Sequence, residues 1–244
     1  MSSAPYDKYE VFQDNPGFIA KASDRFARAI QNLPFITPNV VTVLSSASIL
    51  LAVFCILQPG QQYLFASGLL LWLSFFLDSV DGYLARLKKR ETHFGWWLDR
   101  ILGQQSFFVV ALGARAYYVE KADARILIFA ALILCAQIIK ELNWALFQIT
   151  KQKIRPEASY LNAVTDNLGI TFSRQTLAGS LQFYAARLGA FLQYEQYIML
   201  SILPLVIGAK ATLLVYGGLF FISLALKLCA HGYMYKKIDQ GKFI

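Results

Sequence analysis

The sequence predicts an all-α, polytopic membrane protein with six transmembrane helices and an N-terminal amphipathic helix. Of its 244 residues, 57% are hydrophobic and 16% are charged, whereas soluble domains average about half and about a quarter. Several windows hold about 18 or more mostly apolar residues, enough to cross a hydrocarbon core of about 30 Å. Basic residues cluster beside these windows, so the net charge of +8 indicates anionic lipid headgroups as partners rather than nucleic acid.

Residues 1–36 form a segment of their own ahead of a membrane domain predicted for residues 37–244. Apolar residues recur close to helical spacing between about residues 7 and 35, and lysines and arginines lie between them. This pattern predicts an amphipathic helix at the membrane interface. A helix of the soluble type, packed on the rest of the chain, is the alternative.

Six predicted spans follow. Their approximate bounds are 38–57, 61–87, 92–119, 125–149, a fifth span that begins between 182 and 193 and ends near 208, and 212–235. Pro59-Gly60 separates the first two, since both residues interrupt helices. The stretch 151–176 is more polar and is predicted to be a linker between the fourth and fifth spans.

The lysines and arginines of the loops predict the orientation of the chain. Six spans place the N-terminal segment, the loop at 88–90, the linker at 151–155 and the C-terminal tail on one side, and each of them is basic. The other side holds only Lys121, Arg125 and Lys210. Because cytoplasmic loops carry the excess of positive charge, we expect a multi-pass integral membrane protein with cytoplasmic N- and C-termini.

Three carboxylates lie where the second span ends and the third begins: Asp78, Asp81 and Asp99. Carboxylates beside a membrane span are costly and are typical of functional sites. Two antiparallel helices joined by a short basic loop can bring all three around one point. Their mutual repulsion and desolvation favour a bound divalent cation, and Mg²⁺ or Mn²⁺ suits carboxylate oxygens.

Small and basic residues surround these carboxylates. Helical spacing puts Gly82, Ala85 and Lys89 on the face of the first two aspartates, and Gly95 on the face of Asp99. The small residues leave room for a bulky ligand, or they are ordinary helix-packing contacts. Arg86 and Lys89 suit a phosphate. A metal, a phosphate and an open slot together indicate phosphoryl transfer from a nucleotide conjugate.

The motif resembles the signature of the CDP-alcohol phosphotransferases, also called CDP-alcohol phosphatidyltransferases. The matching run reads Asp78-x2-Asp81-Gly82-x2-Ala85-Arg86-x8-Gly95-x3-Asp99. The start of the first span, Thr37-Pro38-Asn39 with Thr42, is also similar to the family. The resemblance implies transfer of a phosphoalcohol group from a CDP-linked donor to an acceptor hydroxyl with release of CMP, in phospholipid or related biosynthesis.

The resemblance also assigns roles to residues. It implies that Asp78, Asp81 and Asp99 are catalytic residues that hold two divalent metal ions on the diphosphate. The implied substrate-binding residues are Asn39, Gly82, Ala85, Arg86, Lys89 and Gly95. It further implies a homodimer, with a lipid or a polar alcohol as the acceptor and the site facing the cytoplasmic leaflet.

The sequence departs from the family signature at Gly103, where members carry a fourth aspartate. That aspartate is expected to help bind metal and to deprotonate the acceptor hydroxyl. Three explanations stay open: an inactive variant, a base supplied by water or substrate, and a homologue that keeps the CDP and metal site for another purpose. A transporter that couples to ions through intramembrane carboxylates is an alternative of a different class.

Overall fold

The computed structural model describes residues 17–89, 92, 106–154 and 193–239. Within these ranges the regular structure is entirely α-helical, which confirms the all-α part of the predicted fold class for the described residues. The helices are α1 (Gly17–Ile30), α2 (Pro38–Leu57), α3 (Gln61–Leu87), α4 (Ser106–Tyr118), α5 (Arg125–Ile154) and α6 (Gln193–Asp239).

The chain divides into two compact units. The first contains residues 15–134 and 193–217, and therefore α1 to α4, the beginning of α5 and the beginning of α6. The second contains residues 1–14, 135–192 and 218–244. The contacts that build the candidate site, described below, all lie in the first unit.

Helices α2 and α3 have the bounds that the sequence predicts. Thr37 caps α2, because its side chain accepts a hydrogen bond of 3.3 Å from the backbone N–H of Val40. Pro38 follows in the first turn, where the backbone N–H that proline lacks would have no partner within the helix. Gly60, at φ 113°, begins α3 in a backbone conformation that other residues rarely adopt. Cap, proline and glycine thus fix a helical hairpin.

The buried face of α2 includes several hydroxyl residues, while its outer face is apolar. Thr42, Ser45, Ser46 and Ser48 are buried, and the Ser45 hydroxyl lies 2.9 Å from the carbonyl oxygen of Ser74 on α3. The exposed residues of α2 include Val43, Leu44, Leu50, Leu51 and Phe54. A soluble helix has the opposite arrangement, whereas small hydroxyl residues between helices and apolar residues outside are typical of membrane helices.

Four windows in the described part of the chain are long and apolar enough to cross a bilayer. They are Pro38–Leu57, Gln61–Leu87, Arg125–Asn143 and Gln196–Cys229. The last has 34 residues, which as one straight helix would measure about 51 Å. That length exceeds the hydrocarbon core of about 30 Å.

Helix α6 is broken at Gly208, near the predicted boundary between the fifth and sixth spans. The backbone there is non-helical, with φ 81° and ψ 167°. The hydroxyl of Tyr216, after the break, donates a 3.2 Å hydrogen bond to the side-chain oxygen of Gln196, before it. These residues would be about 30 Å apart along a straight helix. The two arms of α6 (residues 193–207 and 209–217) therefore lie side by side.

An ionic cluster built on buried Arg115 holds this break to the end of α2. Glu120 accepts hydrogen bonds from the backbone N–H groups of Ala209, at 2.6 Å, and Lys210, at 3.0 Å, and so caps the second arm of α6. Arg115 is buried and donates to the carbonyl oxygen of Ile56 at 2.9 Å. Its guanidinium lies 3.9 Å from the Glu120 carboxylate. The cluster fixes the end of the hairpin that is remote from Thr37.

Helix α1 packs on the other end of the α2–α3 hairpin. Ala27 is fully buried in a cluster with Val41, Val80 and Leu84. The basic residues Lys21, Arg25 and Arg28 remain exposed. The N-terminal segment therefore contains a helix over Gly17–Ile30, with one face packed against the hairpin, and its place at the membrane interface stays a prediction.

Candidate active site

The centre of the candidate site is the buried carboxylate of Asp81 on α3. Its residue is only 9% exposed. The hydroxyl of Thr42, on α2, donates a hydrogen bond of 2.7 Å to Asp81 Oδ2. Hydrogen bonds between a hydroxyl and an ionised carboxylate are shorter and stronger than neutral ones. The start of α2 therefore meets the last turns of α3 at this carboxylate.

Asp78 lies one helical turn before Asp81 and is half-buried. Residues three apart on a helix share a face, so the structure brings two of the three predicted metal ligands together. A carboxylate removed from water needs positive charge or hydrogen-bond donors, and oxygen donors are what Mg²⁺ and Mn²⁺ accept. The two aspartates fit such an ion. The described residues contain no cluster of three or more His, Cys, Asp or Glu side chains.

Gly82 follows Asp81, and the described residues do not crowd it. Among the described residues, a methyl group placed at Gly82 would meet only the guanidinium nitrogens of Arg86, at 3.8 Å, which is ordinary contact. Gly68, Gly113 and Gly217 differ, because a methyl group there would lie 2.6–2.7 Å from neighbouring atoms. Those three glycines permit helix packing, whereas the described neighbours of Gly82 do not require a glycine.

The two predicted phosphate ligands lie at and beyond the end of α3. Arg86 is exposed, and its guanidinium carbon lies 4.7 Å from the centre of the Tyr83 ring. Lys89 is also exposed, but α3 ends at Leu87 and Lys89 has a left-handed backbone with φ 50°. The helical spacing that put Lys89 on the face of Asp81 therefore does not extend to it.

Lys88, for which the sequence predicts no role in the site, has defined partners in the structure. Its ammonium group donates hydrogen bonds to the carbonyl oxygens of Leu33, at 3.1 Å, and Ile36. Lys88 thus holds the connection between α1 and α2 against the end of α3. A run of basic residues in the sequence gives no signal of which lysine turns inward.

Asn39, predicted to bind substrate, is half-buried in the first turn of α2, three residues before Thr42.

Residues 35–226 match the family described as CDP-alcohol phosphatidyltransferase. The chain belongs to this family. The matched range contains the whole motif from Asp78 to Asp99 and all four candidate membrane windows except the last three residues of the fourth. The family assignment and these apolar helices together make the chain an integral membrane protein of a transferase family in phospholipid biosynthesis.

One relative is the phosphatidylinositol phosphate synthase of Mycobacteroides abscessus. It is 34% identical to this chain over 80 residues, which is 33% of this chain and 35% of the relative. The chain therefore matches about a third of the length of that curated relative.

Three residues of the CDP-alcohol phosphatidyltransferase motif lie outside the described residues. They are Gly95, Asp99 and Gly103. Their assignment to the site stays a prediction from sequence spacing and family resemblance. Of the remaining motif positions, the structure places Asp78, Asp81, Gly82, Ala85 and Arg86 in the last three turns of α3.

Proposed function

We propose that this protein transfers a phosphoalcohol group from a CDP-linked donor to the hydroxyl of an acceptor and releases CMP. One observation carries the proposal: the Asp81 carboxylate is buried beside Asp78 and Gly82, in a chain of the CDP-alcohol phosphatidyltransferase family. Among the described residues, only the end of the Arg86 side chain lies within 4 Å of a methyl group placed at Gly82. A buried carboxylate next to a half-buried one, with a glycine beside them, suits a metal-bound diphosphate better than it suits helix packing.

The proposed step exchanges one phosphorus–oxygen bond for another. The acceptor oxygen attacks the phosphorus of the phosphoalcohol group, and the bond from that phosphorus to the bridging oxygen of the diphosphate breaks. CMP leaves with the bridging oxygen, and the hydroxyl proton passes to a base. Bound Mg²⁺ or Mn²⁺, two ions by family resemblance, would supply the positive charge that neutralises the diphosphate.

The residues of this chain bind the cations, the CDP group and the phosphate oxygens in the proposed site. Asp78, Asp81 and Asp99 hold the cations. Gly82, with Ala85 and Gly95, leaves the backbone accessible to the CDP group, and Asn39 contacts it from the start of α2. Arg86 and Lys89, both exposed, reach the negative phosphate oxygens.

The proposed placement in the membrane has six spans. Two observations support this count: the arms of α6 lie side by side across Gly208, and α4 ends within one residue of the end predicted for the third span. Residues 1–36 form the interfacial segment ahead of the catalytic domain 37–244, and the exposed Phe18 and Phe35 support contact with lipid. Both termini are proposed to be cytoplasmic and the assembly to be a homodimer.

The experiment identifies the donor alcohol and the acceptor of the proposed reaction. The name of the Mycobacteroides abscessus relative makes an inositol phosphate the first acceptor to test. CMP release by the detergent-purified protein is measured with a panel of CDP-alcohols and acceptors, with Mg²⁺ or Mn²⁺ and with EDTA. We expect metal-dependent CMP release with at least one pair. Binding of CDP-alcohol without CMP release would support the inactive homologue that Gly103 suggests, and absence of metal-dependent CDP binding would refute the proposal.

A further inference from the structure

We infer that Thr42 is a positioning residue for metal binding, because its hydroxyl fixes the Asp81 carboxylate in the orientation that a divalent cation requires. The inference rests on the proposed function, which makes Asp81 a metal ligand. It adds a residue from a different helix to the site, outside the aspartate motif.

The geometry gives Asp81 a defined partner. Thr42 is 5% exposed and Asp81 is 9% exposed, so water has little access to their 2.7 Å hydrogen bond. The Thr42 hydroxyl also lies 3.2 Å from the carbonyl oxygen of Pro38, one turn earlier in α2. A hydroxyl has one proton, and the shorter contact to the charged acceptor receives it. The β-branched side chain has few rotamers in a helix, so α2 presents the hydroxyl at a fixed point.

A fixed hydrogen bond restricts how the carboxylate can rotate. Asp81 is joined to α3 by two rotatable side-chain bonds, and the hydroxyl from α2 pins one of its oxygens. Partners that hold a metal ligand in this way are commonly worth about 10- to 100-fold in metal affinity or activity. Removal of the Thr42 hydroxyl should therefore weaken metal binding although Thr42 itself does not touch the metal.

The alternative is a purely structural role, in which the Thr42 hydrogen bond only holds α2 against α3. The same interface offers a matched control, because the Ser45 hydroxyl also crosses from α2 to α3, at 2.9 Å from the Ser74 carbonyl oxygen. Ser45 is buried like Thr42, but its hydroxyl contacts the carbonyl oxygen and the hydroxyl of Ser74 rather than Asp81. If adhesion between the helices were the whole role of Thr42, loss of either hydroxyl would have the same effect.

The test compares Thr42→Val, Thr42→Ser and Ser45→Ala with the unmodified protein in detergent. Mn²⁺ affinity is measured by electron paramagnetic resonance in the presence of CMP, and melting temperature is measured without metal. We expect Thr42→Val to weaken Mn²⁺ binding by about 10- to 100-fold, and Thr42→Ser, which keeps the hydroxyl, to restore most of it. Ser45→Ala should lower the melting temperature at least as much as Thr42→Val and leave Mn²⁺ affinity unchanged.

The outcomes separate this inference from the proposed function. If the unmodified protein binds no Mn²⁺, both are wrong. If it binds Mn²⁺ and Thr42→Val binds it equally well, only the role of Thr42 is wrong. Equal losses of Mn²⁺ affinity in Thr42→Val and Ser45→Ala would also overturn it, because the effect would then follow helix packing. If Thr42→Val fails to fold, Thr42→Ala replaces it, and an affinity equal to that of Thr42→Ser overturns the inference.

Discussion

Two glycines of the same helix should respond in opposite ways to the same substitution. Both Gly82→Ala and Gly68→Ala add one methyl group to the interior of α3. Alanine is favoured over glycine inside a helix by about 0.5–1 kcal/mol, and this backbone contribution is common to both variants. The difference between them therefore reports what the methyl group meets.

The structure sets the expected size of that difference. At Gly68 the methyl group would lie 2.7 Å from the backbone oxygen of Ser201, an atom of α6 that cannot rotate away. Overpacking of this kind typically destabilises by about 1–3 kcal/mol, which corresponds to roughly 2–12 °C in melting temperature at 2–4 °C per kcal/mol. At Gly82 the methyl group would meet only the mobile end of Arg86 among the described residues, at 3.8 Å. We expect no loss of melting temperature there.

Donor binding should show the reverse order. If the CDP group lies against Gly82, a methyl group there should weaken binding by about 1–3 kcal/mol, or roughly 5- to 150-fold in Kd. Gly68→Ala should bind normally in the fraction that stays folded. Calorimetry with a CDP-alcohol and Mg²⁺, beside thermal unfolding in detergent, measures both quantities. A Gly82→Ala protein that is destabilised like Gly68→Ala, and that binds CDP-alcohol with unchanged Kd, would show that Gly82 is a packing residue.

Three further predictions concern charge, topology and the missing base. Asp81→Asn keeps an oxygen that can accept from Thr42, so we expect near-normal thermal stability with loss of metal-dependent CDP binding; normal nucleotide binding by this variant would contradict the metal-ligand assignment. Cysteines introduced at Lys89 and Lys121, both exposed, should react from opposite sides of the membrane, and labelling from one side only would refute the six-span topology. Gly103→Asp should raise CMP release by at least about tenfold, since a positioned base typically contributes about 10² to 10⁴-fold; equal rates in both forms would mean that the base comes from elsewhere.

Local signals in the sequence determined the helices of this protein and where the hairpin turns. Thr37 and Pro38 begin α2, and Gly60 begins α3, because a helix cap, a proline in the first turn and a left-handed glycine depend on backbone geometry over a few residues. The spacing of Asp78 and Asp81 likewise placed both on one face of α3, since the helical repeat is fixed by hydrogen bonds within the helix.

Only the tertiary structure decided which groups meet across helices. The sequence shows no reason for the Thr42 hydroxyl to contact Asp81, 39 residues away, because the relative rotation of two helices depends on how their side chains pack. The family resemblance singled out Gly82, but helical spacing does not show that Gly68 is tightly packed, because the atoms beside a glycine come from other helices. Lys88 turns inward to the end of the α1–α2 connection, where it contacts the carbonyl oxygen of Leu33. Because α3 ends at Leu87, helical spacing does not predict the direction of the side chains that follow.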